Sequence, residues 1–210
     1  MLLKDELKSI ISGTGFVTKG TAIQAVANYL RKSKAASTAT KEKESVKEQE
    51  AAVILAYARL HDFFFSNVNK DRYLAEGAEQ KVYLEADGSH VIKLNDGIFY
   101  LSWQDYFTSL LLHNYFFPAT SYELIGFQYE DERLCAVVRQ SYIHTNEPTD
   151  ENLVKELMAA NGFANKKNND YFNKESGIIL EDLHDENVLT NDGVLFFVDT
   201  VFYLTDNFYK

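Results

Sequence analysis

Apolar positions along residues 1–70 follow a helical period. Leu3, Leu7, Ile10 and Ile11 recur at three- and four-residue spacing until Gly13-Thr14-Gly15 breaks the pattern. A second helix is predicted over Thr21 to Arg31, with Ile23, Val26, Ala27 and Leu30 on one face. Lys32 to Thr40, rich in Ala, Ser, Thr and Lys, reads as a linker. A third helix is predicted over about Glu44 to Phe65, and its Ala51 to Ala56 run is apolar almost all round, which implies burial.

From Tyr73 the pattern shortens. "KVYLEADGSHVIKL" is a strand, an Asp87-Gly88 turn and a second strand. "SWQDYFTSLLLHNYFF" predicts a helix with Ser102 as N-cap, stopped by Pro118. "YELIGFQYEDERLCAVVRQSYI" predicts two strands around an acidic turn at Asp131. "TDENLVKELMAANGF" predicts a helix capped by Thr149 or Asp150 and ended by Gly162. "ANKKNNDYFN" reads as a polar loop, and Gly177 to Leu180 and Val194 to Val198 as buried strands. The order from residue 73 predicts an α+β fold: an antiparallel sheet, one crossing helix, then a small second part.

At 210 residues, with 46% hydrophobic and 14% aromatic content, the chain can bury a real core in one domain or two small ones. A net charge of -10 argues against a nucleic-acid partner, which needs a basic face. The single Cys135 excludes a disulfide framework; its apolar neighbours make it a buried strand thiol, which suits a cytoplasmic location. The start lacks the apolar core of a signal peptide, and no apolar run reaches membrane-spanning length, so no membrane partner is expected.

The candidate chemistry lies in "GIILEDLHDENVLTNDGVLFFVDT". Asp182, Asn187 and Asp199 stand at the ends of apolar segments, where an unpaired charge is costly unless a ligand or partner satisfies it. Turn punctuation is the plainer alternative. Lys93, flanked by Val91, Ile92 and Leu94, is a second charge in an apolar setting. His61-Asp62, His113 and His184-Asp185 offer a rival, a His/Asp metal set of the HD phosphohydrolase type. A serine hydrolase has no supporting G-x-S-x-G.

These stretches together resemble protein kinases. "AEGAEQKVY" is similar to the glycine-rich loop at Gly77 and Val82, with Ala75 and Gln80 where the outer glycines would stand. "EDLHDENVL" is similar to the H-G-D-x-H-x-x-N-x-L of aminoglycoside phosphotransferases at Asp182, His184, Asn187 and Leu189; Glu181 replaces the Gly and Leu180 the first His. The joint pattern, over about residues 70–204, most resembles the kinase-like domain of bacterial and phage polyvalent proteins. The resemblance implies a reduced kinase-like fold: an antiparallel N-lobe sheet with one helix and a minimal C-terminal lobe, preceded by N-terminal helices. It divides the chain into a helical extension, 1–70, and a kinase-like domain, 71–210, with a hinge near 139–143.

The activity implied is ATP- and Mg²⁺-dependent phosphotransfer to an unassigned protein or small-molecule acceptor. Asp182 and Lys93 would be catalytic. Gly77, Ala78, Gln80, Val82, Lys93, Gln140 and Tyr142 would bind the nucleotide, and Asn187 and Asp199 the metal. The relatives' setting implies a role in conflict between phages or mobile elements and their hosts. This chain departs from the kinase pattern in two ways: Thr200-Val201 follows Asp199 where a DFG motif continues, and no helix glutamate is evident to pair with Lys93. Gln104, Asp105, Glu76 and Glu79 are the candidates for that partner. The departures keep two alternatives in play, a catalytically decayed nucleotide- or protein-binding module and transfer of AMP.

Overall fold

The structure, a computed structural model, describes residues 3–36 and 45–210. Three helices come first: α1 (Leu3–Ser12), α2 (Thr21–Ala36) and α3 (Val46–Leu60). α2 runs on past Arg31 through the start of the expected linker, whose remainder lies outside the described residues. α3 opens on a capping box between Ser45 and Glu48 and stops five residues before the predicted end. Asp62 takes a left-handed φ of 50° and turns the chain out of the helix. Phe63 and Phe65 then add to the edge of the main sheet through Phe65 N–H to Phe127 O at 2.9 Å and Phe127 N–H to Phe63 O at 3.0 Å. Gly126 permits that approach, because a Cβ there would lie 3.1 Å from the Phe63 carbonyl.

The main sheet contains β1 (Tyr73–Glu76), β2 (Gln80–Leu84), β3 (His90–Asn95), β4 (Glu123–Glu130) and β5 (Arg133–Ser141). It is antiparallel throughout, in the order β1-β2-β3-β5-β4. The predicted turns are present: Asp87 Oδ1 accepts the Ser89 N–H at 2.9 Å, and Asp131 and Glu132 both take positive φ between β4 and β5. Helix α4 (Trp103–Phe116) links β3 to β4, and Ser102 caps it by accepting the Asp105 N–H at 3.0 Å. Glu50 of α3 adds a second cap, accepting the Trp103 N–H at 2.6 Å while Lys34 of α2 pairs with it at 2.6 Å.

Beyond β5 the chain forms α5 (Glu151–Ala160), capped by Asp150 and followed by Gly162 at φ 77°. Four short strands, β6 (Ala164–Lys167), β7 (Asp170–Asn173), β8 (Ile178–Glu181) and β11 (Val201–Leu204), make a second antiparallel sheet in the order β11-β8-β7-β6. The stretch read as a polar loop is therefore the β6–β7 hairpin; β6 is exposed along its whole length, so it carries no apolar alternation. β9 (Val188–Asn191) and β10 (Val194–Phe197) pair as a separate hairpin, and α6 (Asp206–Tyr209) closes the chain.

Helix α4 is the wall shared by two cores. Trp103, Tyr106, Phe107, Leu110 and Leu111 pack with α1–α3 and the main sheet, including Ile23, Val26, Ile54, Phe127 and Val138. Leu112 and Phe116 pack with Leu7, α5, the second sheet and β9–β10. The N-terminal helices and the sheets thus share one interior around α4. Truncating Leu111, which is fully buried, to Ala costs about 2–5 kcal/mol. Among the described residues, no helix is long and apolar enough to cross a membrane.

Candidate functional site

A cleft of about 470 Å³ opens between the main sheet and the chain segments around β9 and β10. Leu74, Gly77, Gln80, Val82, Val91 and Lys93 line its sheet wall, Gln140 to Ile143 its back, and Glu186, Asn187, Leu189, Val198 and Asp199 its loop wall. The size and the mix of apolar lining with convergent polar groups are those of a small-molecule site. The connection after β5 runs along the loop wall: Asn146 and Asp192 exchange hydrogen bonds at 2.7 and 3.1 Å, and Thr149 Oγ1 donates to Val188 O at 2.6 Å.

Lys93 lies at the centre of β3, opposite Val82 and Val138. It is 5% exposed. Its Nζ donates to the Val198 carbonyl at 2.8 Å and sits 5.3 Å from the Tyr122 ring centre. Burial pulls the ammonium below its ordinary pKa, and the charges of Asp199 and Glu79 oppose that shift. Asp199 follows β10 and accepts a hydrogen bond from the Gln80 side-chain amide. Tyr122 Oη donates to Val198 O at 2.8 Å and lies 3.5 Å from Asp199 Oδ1.

The segment after β8 is tied to the same point through its backbone. The Asn187 carbonyl accepts the N–H groups of Val198 and Asp199, at 2.9 and 3.4 Å. Asn187 Nδ2 donates to both the backbone O and the Oδ2 of Asp182, each at 2.9 Å. That orientation leaves Asn187 Oδ1 without a hydrogen-bond partner among the described residues. His184 Nδ1 accepts the Glu186 N–H at 3.2 Å, which puts the ring proton on Nε2, 3.2 Å from Asp182 Oδ1. Asp182 therefore accepts a hydrogen bond from Asn187 at Oδ2 and has the His184 ring at ion-pair distance from Oδ1, while Asn187 Nδ2 also lies 3.2 Å from His184 Nε2. Its backbone sits at φ 70°, a left-handed conformation that Asp and Asn tolerate better than most residues.

Of the residues singled out in the sequence, Gly77, Gln80, Val82, Lys93, Gln140, Tyr142, Asn187 and Asp199 meet around the cleft. Asp182 stands beyond its rim, joined to it by Asn187. Ala78 lines the adjoining concavity, with Glu79, Lys81, Asp96 and Arg133. The Gly77 N–H donates to Gln80 O at 2.8 Å and closes a tight turn, so it does not point at a ligand; a Cβ at Gly77 would meet nothing within 4 Å. The Gln140 amide is buried and donates to Thr120 O at 2.6 Å, and the Tyr142 N–H donates to Ser89 O at 2.8 Å. Both residues brace the back of the cleft.

Two residues escaped the sequence reading in these roles. Tyr122 holds the Val198 carbonyl beside Lys93. His113 of α4 is fully buried, with Nδ1 2.7 Å from Thr200 Oγ1 and Nε2 3.0 Å from Thr120 O. Burial, aided by the Lys93 charge, pushes its pKa down to about 3 against the pull of the Thr120 bond, so the ring is neutral. It fastens α4 to the residue after Asp199. No local signal marks either role, because the partners lie 76 and 87 positions away. The rival histidine set does not assemble: His61 is the exposed C-cap of α3, His113 is locked in the core and His184 belongs to the Asp182 loop. Among the described residues, the one His/Asp/Glu grouping of metal-binding dimensions is Glu85, Asp87 and His90 on the β2–β3 hairpin, where Arg139 already bonds Glu85 and Asp87 and the His90 ring donates to Asp87 at 2.6 Å.

Comparison with known proteins adds one match. The model of a family described as serine/threonine/tyrosine kinase found in polyvalent proteins matches residues 47–206, from the start of α3 to that of α6. No curated protein and no solved structure matches. The match spans well over half of the chain and includes every wall of the cleft, so the chain belongs to the serine/threonine/tyrosine kinase family found in polyvalent proteins.

Proposed function

We propose that this chain is an ATP- and Mg²⁺-dependent phosphotransferase whose nucleotide lies in the cleft under the β1–β2 loop. The observation that carries the reading is the convergence of buried Lys93 with Asp199 and Asn187 on one cavity, from segments about a hundred residues apart. The strand order, with α4 between β3 and β4, supports a kinase-like N-lobe; α5, the second sheet and the β9–β10 hairpin stand as a minimal C-terminal lobe. The stretch near 139–143 serves as the hinge, and α1, α2 and α3 brace α4.

Each residue has a definite task. Leu74, Val82, Val91 and Leu189 offer apolar surface to a base, with Ser141 to Ile143 at its edge. Lys93 pairs with phosphate oxygens. The donor set suits Mg²⁺: the Asp199 carboxylate and the unpartnered amide oxygen of Asn187 are hard oxygen ligands. Bound there, Mg²⁺ supplies charge neutralisation for the transferred phosphoryl group. Asp182, held by Asn187 and His184, orients an acceptor hydroxyl and takes its proton late in the transfer. The acceptor is a protein or small molecule bearing that hydroxyl.

A decayed nucleotide-binding module is the second reading. It is favoured by the Gln80 amide on Asp199, which competes for the metal ligand, and by the engaged Gly77 N–H. A thermal-shift titration with ATP and Mg²⁺, followed by mass spectrometry for phosphate or AMP adducts, separates the readings. Mg²⁺-dependent stabilisation with a phosphate adduct is the expected result. Stabilisation without any adduct favours the decayed module, an AMP adduct redirects the chemistry, and no stabilisation removes both nucleotide readings.

A further inference from the structure

The Val198 carbonyl, one residue before Asp199, is shared by two donors. Lys93 Nζ donates to it at 2.8 Å and Tyr122 Oη at 2.8 Å. A carbonyl oxygen has two lone pairs and takes both bonds. Both donors are buried, at 5% and 3% exposure. Among the described residues no other side chain donates to this oxygen: Thr120 Oγ1 is engaged with Phe197 O, and His113 faces Thr200. Lys93 in turn has no other hydrogen-bond partner among the described residues, and none of Gln104, Asp105, Glu76 and Glu79 bonds to it.

The two donors differ in their freedom to leave. Tyr122 stands just before β4, and Asn114 of α4 clamps its backbone: the Tyr122 N–H donates to Asn114 Oδ1 at 2.7 Å, and Asn114 Nδ2 donates to Tyr122 O at 2.8 Å. Asn114 is itself buried. The Tyr122 ring packs against the His113 ring, 4.5 Å between centres. Its hydroxyl proton has one good acceptor, because Asp199 Oδ1 at 3.5 Å is beyond a normal O–H···O distance. Lys93 is an ammonium on a flexible four-carbon stem, and it lines the cleft. A carbonyl in this setting is costly to leave without a donor, more costly than an average hydrogen bond is stabilising. With Lys93 as its only donor, the carbonyl would hold the ammonium back from a ligand.

We propose that Tyr122 is the positioning residue that releases Lys93 to its ligand: the Val198 carbonyl holds the ammonium in reserve, and when Lys93 turns to phosphate oxygens the Tyr122 hydroxyl keeps that carbonyl satisfied and the chain before Asp199 in place. The neighbours of Val198 are fastened in the same manner, Phe197 O by Thr120 Oγ1 and Thr200 Oγ1 by the His113 ring. Residues 113–122 thus hold residues 197–200 by three side chains, none of which comes from the nucleotide-facing strands β2 and β3. Only the fourth contact, that of Lys93, belongs to a group with a second task in the cleft.

The release of Lys93 to phosphate rests on the phosphotransferase reading; the sharing of the carbonyl does not. The first arm of the test therefore uses nucleotide-free protein. Tyr122→Phe and Lys93→Met each leave one donor on the Val198 carbonyl, and the double variant leaves none. The melting temperature of the double variant should fall by more than the sum of the two single changes. The second arm is calorimetry with MgATP and with adenosine, which has no phosphate for Lys93. Tyr122→Phe should bind MgATP about tenfold more weakly than wild type, the size of one carbonyl left without a donor, and adenosine within about twofold. A role confined to folding would weaken both ligands alike, and that result overturns the proposal. So do additive melting temperatures, and so does a Tyr122→Phe protein that unfolds although Lys93 remains on the carbonyl. Wild-type MgATP affinity in Tyr122→Phe overturns it as well, because the ammonium would then serve carbonyl and phosphate together. If wild type binds no MgATP, the nucleotide reading falls and the release with it, while a more-than-additive cycle still upholds the shared carbonyl.

Discussion

The middle of β3 is dry, and the Asp182 loop beyond the rim of the cleft is wet. Lys93 and Asn95 are each 5% exposed, whereas the side chains of Asp182 and His184 are 56% and 32% exposed. The two regions accordingly hold their charged groups by different means. On the sheet, burial fixes position and shifts protonation, at some expense in stability. On the loop, short-range bonds among Asp182, His184, Glu186 and Asn187 fix position while water remains near. Changes in β3 should therefore disturb binding and folding together, and changes in the Asp182 loop should disturb turnover alone.

The strongest test of that contrast is Asp182→Asn. Asn tolerates the φ of 70°, so the loop keeps its shape. Turnover should fall about 100-fold or more in single-turnover phosphate transfer, with MgATP affinity held within about twofold. A parallel loss of affinity would erase the distinction between the two regions. Lys93→Ala should do the opposite. It removes the buried cation that meets the Val198 carbonyl beside Asp199, so denaturant unfolding should show a loss of about 3 kcal/mol together with greatly weakened MgATP binding.

A smaller effect follows from Glu79. Its folded pKa of about 7 lies above the ordinary 4.5, so the folded state holds the proton more tightly. Protonation favours folding; this contribution is fully present below about 4.5 and is lost as pH rises through 7. Its size is on the order of 1–3 kcal/mol. His113 acts in the other direction: its folded pKa of about 3 is below the ordinary 6.5, so its contribution is lost as pH falls below 6.5. Comparing wild type with Glu79→Gln across pH 4.5–8 isolates the carboxyl, because His113 is common to both. Identical pH profiles would place Glu79 among the solvated acids. The smallest effect belongs to Gly77→Ala. With open space at its Cβ, stability should change by less than about 0.5 kcal/mol and MgATP affinity hardly at all. A large loss there would mean that the loop adopts another shape when nucleotide binds.

The sequence by itself determined whatever depends on neighbours within one turn or one hairpin. The Asp87-Gly88 turn, the Ser102 and Asp150 caps and the apolar faces of α1 and α2 are local; in the turn and the caps a side chain two or three residues away satisfies the backbone group concerned. The Asp182–Asn187 spacing is legible for the same reason: five residues suffice to bring one amide onto one carboxylate. Extended polar segments were not legible, since the exposed β6 carries no alternation and takes its pairing from β7. Only the tertiary structure decided what Lys93 faces. Its carbonyl partner lies 105 positions away, Gln80 reaches Asp199 across 119, and His113 reaches Thr200 across 87. Such contacts exist only once α4 and the two sheets have packed, and the loss of water on packing then shifts the protonation of Lys93 and His113 in a way that the unfolded chain cannot.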